Sequence, residues 1–218
     1  VESNSKDETC QVLSSLSESL FDFNYTSLGS SDENRLEAIV RARKVCQSWV
    51  LNLEKRFTKV LVIDLDQMYS WEKVRFETSL SSFDALFCHQ DPYYDTYAFM
   101  DNLGNRNLPS TRFMQGFLGK LLNFIWFSPK LQLELGSLDL PLRVRSAFGG
   151  VAVYSRAAFE AGKYTSIQGD NENLCEHVVF NNKVSESFDA LYIDPSFSVP
   201  VKNEHVRMAK LIKALRLS

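Results

Sequence analysis

Two aspartates, Asp64 and Asp66, close the apolar run of "TKVLVIDLDQMYSW". Alternate residues of an extended chain share a face, so both carboxylates leave the same side of a strand end. Two acids so placed repel each other, and a hard divalent cation carrying phosphate oxygens relieves that repulsion. The D-x-D pair is therefore a candidate metal and phosphate site, at the carboxyl end of a strand where open α/β sheets bind ligands. A second group, "GDNENLCEHVVF", places Asp170, Glu172, Glu176 and His177 within eight residues. A carboxylate beside a ligand cleft can act as a general base, and an imidazole can bind metal or hydrogen-bond to substrate. The same residues also read as a solvated loop and helix start.

Three further features bear on chemistry. Arg43 falls on the apolar stripe of Leu36, Ile39, Val40, Cys46, Val50 and Leu53. A guanidinium on a core-facing stripe needs an anion or a carboxylate, or must reach past the core to water. Gly149 and Gly150 interrupt "RVRSAFGGVAVYS", which marks a bulge or a close backbone approach, such as to a ligand. "DPYYDTYAF" groups Tyr93, Tyr94 and Tyr97 around Asp95, suited to gripping a sugar by stacking and hydroxyl bonds, or to structural packing.

The elements that must position these residues are legible from pattern. Ser5-x-x-Glu8 and Ser30-x-x-Glu33 are capping boxes, the first before a helix with Val12, Leu13, Leu16 and Leu20, the second before the longest helix. A short strand is expected over residues 23–28. The continuous run Val60 to Ile63 reads as a strand covered on both faces, and "FDALFCH" as another. Residues 112–127 read as a helix interrupted by Gly116 and Gly119. "LRVRSAFGGVAVYSRAAFEAG" reads as strand, Gly-Gly, strand and a short helix closed by Gly162, "ALYIDP" as a late strand, and "EHVRMAKLIKALRL" as a basic terminal helix. With no internal repeat or linker in 218 residues, one α/β domain is the economical reading. The net charge of −3 argues against a general nucleic-acid binder, and no run reaches the ~18 apolar residues of a membrane span. The four cysteines, Cys10, Cys46, Cys88 and Cys175, lack C-x-x-C spacing and read as buried small hydrophobes, not as a zinc site.

Taken in order, these pieces resemble nucleotide-sugar glycosyltransferases of the GT-A fold. "VESNSKDET" is similar to that family's V-D-D-G-S-x-D-x-T motif, with Glu2, Ser3, Asn4, Ser5, Asp7 and Thr9 in matching positions. "VLVIDLD" looks like the strand leading to its D-x-D motif, and Arg43 in "VRARK" resembles the arginine of its A-R-N segment, whose asparagine is Lys44 here. "SAFGGVAVYSRAAFEAGKY" and "CEHVVF" look like the acceptor-side half with its base-bearing acidic segment, and the whole resembles the compact domains of large algal viruses.

The resemblance implies a Rossmann-like, mixed and mostly parallel sheet flanked by helices, with residues 1–66 as donor side and 67–218 as acceptor side and terminal helix. It implies transfer of a sugar from a nucleoside-diphosphate donor to a hydroxyl of a glycan or glycoconjugate, with Mn2+ or Mg2+ bridging the acids and the diphosphate. Asp66 would be the direct metal ligand, and Asp64 would approach metal, ribose or sugar. Glu2, Ser3 and Asn4 would line the nucleoside pocket, Arg43 would meet donor phosphate or sugar, and Gly149 and Gly150 would border the donor. Glu176 would be the base, with Asp170 and Glu172 as rivals. Tyr94, Asp95 and His177 would serve the acceptor or sugar, and His177 or His205 could complete a metal shell. The family's first strand, the helix after it and most of the second strand would precede "VESNSKDET". On this kinship the cytoplasm is favoured over the Golgi lumen.

Two other readings stand beside it. Haloacid-dehalogenase phosphatases also place D-x-D after an apolar strand, which would make Asp64 a nucleophile, but they continue D-x-D-x-T/V where this chain has Met68. A non-catalytic sugar- or protein-binding domain on the same fold is the second.

Overall fold

The most deeply buried strand, β3 (Ala85–His89), comes from "FDALFCH", and all five of its residues are buried. A continuous apolar run of this kind has no solvent face, so it must lie inside a sheet. In the computed structural model, which describes residues 7–19, 25–29, 35–53, 57–64, 73–105, 128–165, 174–201 and 203–216, β3 lies between two neighbours. On one side it runs parallel to β7 (Leu191–Ser198), with Phe87 opposite Ile193. On the other it is antiparallel to β6 (Val151–Ser155), with Phe87 opposite Ala152. Beyond β6 lies β1 (Lys59–Ile63), antiparallel, with Val60 opposite Tyr154. Beyond β7 come β5 (Leu142–Ser146) and the short β4 (Met100–Asp101), while β2 (Arg75–Phe76) also pairs with β7. The protein is thus α/β with a mixed seven-stranded sheet in the order β1-β6-β3-β7-β5-β4.

The balance of strand directions differs from the mostly parallel sheet expected. Among the described ladders only β3 with β7 is parallel. The reason is β6, which enters antiparallel between β1 and β3 and leaves those two pointing the same way without touching. β1, β3 and β7 still share a direction, so their carboxyl ends meet one edge of the sheet. Full coverage also belongs to β3 and not to the Val60–Ile63 run, since β1 ends the strand order and Leu61 is 46% exposed.

The described residues fall into two compact units, one of Val1–Arg56 with Tyr164–Glu176 and the other of Phe57–Lys163 with His177–Ser218. The second holds the sheet. One sheet face packs Leu86, Cys88, Val151, Phe197 and Val199 against Ile63, Val74, Leu80 and Phe83. Aromatic packing elsewhere joins Phe87 and Tyr154 to the helices α4 (Arg156–Ala161) and α5 (Glu176–Val184), through Phe159 and Phe180, with centroids 5.4 to 6.0 Å apart. Helix α4 begins on the hydroxyl of Ser155, which accepts the Ala158 N–H at 3.2 Å, and closes at Gly162, where an added Cβ would land on the Phe180 ring. Helix α3 (Ser128–Gly136) buries Leu131 and Leu135, and α6 (Asn203–Arg216), the expected basic terminal helix, buries Val206 and Ala209.

The first unit contains α1 (Thr9–Ser19) and α2 (Arg35–Asn52). Helix α1 starts with the Thr9 N–H on the Asp7 carboxylate at 3.0 Å, and no residue of it is buried. On α2 the buried positions are Val40 and Gln47, with Arg43 on the same stripe. Cys46 is exposed, which corrects its assignment to the core: a one-residue offset from Gln47 turns it away from the stripe by about 100°. Cys88 and Cys175 are the two buried cysteines. Of the strand expected over 23–28, the described part shows only an isolated bridge at Ser27, and the helix expected over 112–127 lies outside the described residues.

Consecutive strands β5 and β6 are not sheet neighbours, because β7 and β3 lie between them. Residues 147–150 make this crossing, and Gly149 and Gly150 adopt φ of 71° and 93°. A Cβ at Gly149 would stand 2.8 Å from the Cys88 Sγ and 3.0 Å from the Cys88 carbonyl oxygen. The Gly-Gly pair therefore marks a close backbone approach in the left-handed region, where side chains are strained. Gly149→Ala is expected to lower unfolding stability by about 2–4 kcal/mol in urea titration, from backbone strain and overpacking together. Adding Cys88→Ala should recover part of the loss, and an undiminished loss in the double variant would contradict the contact.

Candidate functional site

The 147–150 crossing gathers side chains at the carboxyl-terminal edge of β1 and β3. Asp64 directly follows β1, and its amide donates to the Gly150 carbonyl at 2.9 Å, prolonging the ladder by one residue beyond Ile63. The Cys88 thiol points at the Gly149 and Phe148 carbonyls at 3.1 and 3.5 Å. Burial pushes that thiol far above its ordinary range, so it serves as a hydrogen-bond donor and not as a thiolate nucleophile. The Phe148 amide donates to the Tyr93 hydroxyl at 3.3 Å, and its ring stacks on His177 with centroids 3.6 Å apart and planes 16° from parallel. Phe148 and His177 are nearly inaccessible to water, as is Tyr93.

Behind the crossing lies a buried polar hub that the sequence does not announce. The Asn181 amide donates to the Ser146 hydroxyl and to the Ala147 carbonyl, both at 3.1 Å, and accepts the Tyr154 hydroxyl at 2.9 Å. Ser146 in turn donates to the Ala98 carbonyl at 2.8 Å. Asn181 thereby uses both of its donors and an acceptor, the condition for a buried amide to be tolerated. An asparagine inside "EHVVFNNKV" carries no pattern that foretells this role.

The loop after β3 is clamped by α3. The Tyr93 amide donates to the Gln132 carbonyl at 2.9 Å, and the Tyr94 amide to the Gln90 side chain at 3.1 Å. Asp95 accepts the Ala98 amide at 3.2 Å. Tyr93 is thus a packing residue, Tyr94 and Asp95 are half-buried, and Tyr97 is exposed. The His89 Nε2 lies 3.0 Å from the Leu135 carbonyl, which can only accept, so that nitrogen carries the hydrogen. Sequence reading missed α3; its signal was Pro129, in a first helical turn where the missing N–H costs nothing.

In the first unit, Arg43 has found its anion. Its Nη2 lies 3.6 Å from Oε1 of Glu176, with side chains 15% and 9% exposed. Two residues singled out by separate arguments, one as a stripe-bound cation and one as a base, form an ion pair. The other Glu176 oxygen receives the Cys175 thiol at 3.5 Å. Glu176 also opens α5, where a helix N-terminus favours negative charge.

Glu2, Ser3, Asn4, Asp66, Asp170 and Glu172 lie outside the described residues, as does the side chain of His205. Among the described residues no three His, Cys, Asp or Glu side chains cluster as a metal site, and no helix is long and apolar enough to cross a membrane. Comparisons with protein-family models, with curated proteins and with solved structures find no match.

Burial holds the His89 imidazole below its usual range of protonation. The unfolded chain therefore takes up this proton first as pH falls, so stability from His89 is full above about pH 6.5 and is lost as pH drops toward the lower folded value. His89→Gln, which keeps a donor for Leu135, should flatten the decline of stability as pH falls below about 6.5 in pH-resolved denaturant titrations. Identical slopes in the two proteins would contradict it.

Proposed function

We propose that this chain is a metal-dependent glycosyltransferase domain that moves a sugar from a nucleoside-diphosphate donor to a hydroxyl of a glycan or glycoconjugate. The observation that carries the reading is the position of Asp64. It leaves β1 at the sheet's carboxyl edge, tied to the Gly149–Gly150 crossing, where open α/β sheets bind ligands. The order of the motifs around it supports the GT-A likeness.

Asp64 and Asp66 offer hard carboxylate oxygens, the donor set that suits Mn2+ or Mg2+. Such an ion, when bound, neutralises charge on the departing diphosphate. Glu2, Ser3 and Asn4 bind the nucleoside, and Arg43 binds donor phosphate or sugar. Tyr94 and Asp95 grip the acceptor, with His177 held in place under Phe148. In an inverting reaction Glu176 accepts the acceptor hydroxyl's proton as that oxygen bonds the anomeric carbon and the bond to diphosphate breaks; Asp170 is its rival for the role.

The pairing of Glu176 with Arg43 favours a second reading, a non-catalytic sugar- or protein-binding domain in which the pair only holds the fold. Thermal denaturation separates them. On the glycosyltransferase reading a nucleoside diphosphate raises the melting temperature only with Mn2+ or Mg2+, and Asp66→Ala abolishes the rise. A nucleotide shift that survives Asp66→Ala unchanged would overturn the metal assignment.

A further inference from the structure

The proposed reaction asks Glu176 to take a proton, yet both of its carboxylate oxygens are engaged. Oε1 faces the Arg43 guanidinium at 3.6 Å, and Oε2 receives the Cys175 thiol at 3.5 Å. The thiol is a weak donor and yields easily. The guanidinium does not, because the pair is largely withdrawn from water and parting the two leaves a buried charge uncompensated. An incoming anion removes that obstacle. A guanidinium presents a rigid fork of N–H donors that phosphate oxygens match as well as a carboxylate does, and a diphosphate brings more charge. Arg43 is also anchored: it stands on the core-facing stripe of α2 with Val40 and Gln47, so its head can change partners while its stem stays in place.

We infer that Arg43 and Glu176 form an exchange latch, in which the donor's diphosphate takes the guanidinium and thereby frees Glu176 for the acceptor hydroxyl. This rests on the glycosyltransferase reading and adds to it a device in this chain's own residues that unmasks the base only when there is a sugar to transfer. Glu176 is then a competitor of the diphosphate for Arg43, a relation that a purely structural ion pair does not have.

The test uses inorganic pyrophosphate with the full chain in Mg2+-containing buffer, measured by calorimetry. Glu176→Gln should bind pyrophosphate about tenfold more tightly than wild type, because the competing charge is gone, and Arg43→Gln/Glu176→Gln should lose that gain. Unchanged or weaker binding by Glu176→Gln, or a gain that persists in the double variant, would overturn the latch. A second measurement needs no variant and decides the matter if Glu176→Gln does not fold. Carbodiimide-driven amidation of Glu176, followed by peptide mass spectrometry with other carboxylates as reference, should accelerate when pyrophosphate is present. Unchanged or slower labelling would count against release. Neither measurement involves a sugar donor, so failure of the latch and failure of transfer activity are read separately.

Discussion

The constraint on which the sheet-bearing unit depends is the crossing at residues 147–150. Strands β5 and β6 follow each other in the chain but stand two strands apart in the sheet, and four residues join them. The backbone must therefore press against Cys88, with Gly149 too close to its sulfur and carbonyl for any side chain to fit. That passage brings the Gly150 carbonyl to Asp64, the Phe148 amide to Tyr93 and the Phe148 ring to His177. A strand-order problem is solved by two glycines, and the solution assembles the edge where chemistry is proposed.

Such a crossing stays in place only if its polar groups are satisfied. Asn181 does this from α5, bonding Ser146, Ala147 and Tyr154 in surroundings that water barely reaches. A buried network in which each member is paired rigidifies its surroundings, whereas a half-paired one would cost more than an apolar core. The Arg43–Glu176 pair differs in kind. It is an ion pair whose guanidinium fork also matches phosphate oxygens, which makes it suited to exchange where the Asn181 hub is suited to permanence.

Much of this was legible in the sequence where the signal is local. The runs of β3, β5, β6 and β7, the Gly162 boundary of α4, and the periodicity of α2 and α6 follow from alternation, helical spacing and capping. The place of Arg43 on the stripe asked for an anion or a route past the core to water, and only the fold identifies Glu176 as its partner. The insertion of β6 between β1 and β3 was not legible, because pairing between strands distant in the chain leaves no periodic trace. The core position of Cys46 failed for the opposite reason, since neighbouring Gln47 occupies the buried register and residues of mixed polarity blur a stripe by one place. The Gly149–Gly150 signal was visible as an interruption, and its cause emerged only with Cys88 beneath it.

Sugar transfer from a nucleotide donor is measured most directly as free nucleotide release across a panel of nucleotide sugars with Mn2+. One class of donor should be consumed, faster with a hydroxyl acceptor present and not at all after the metal is chelated. Release of nucleotide from no donor, or release that continues undiminished under chelation, would contradict it.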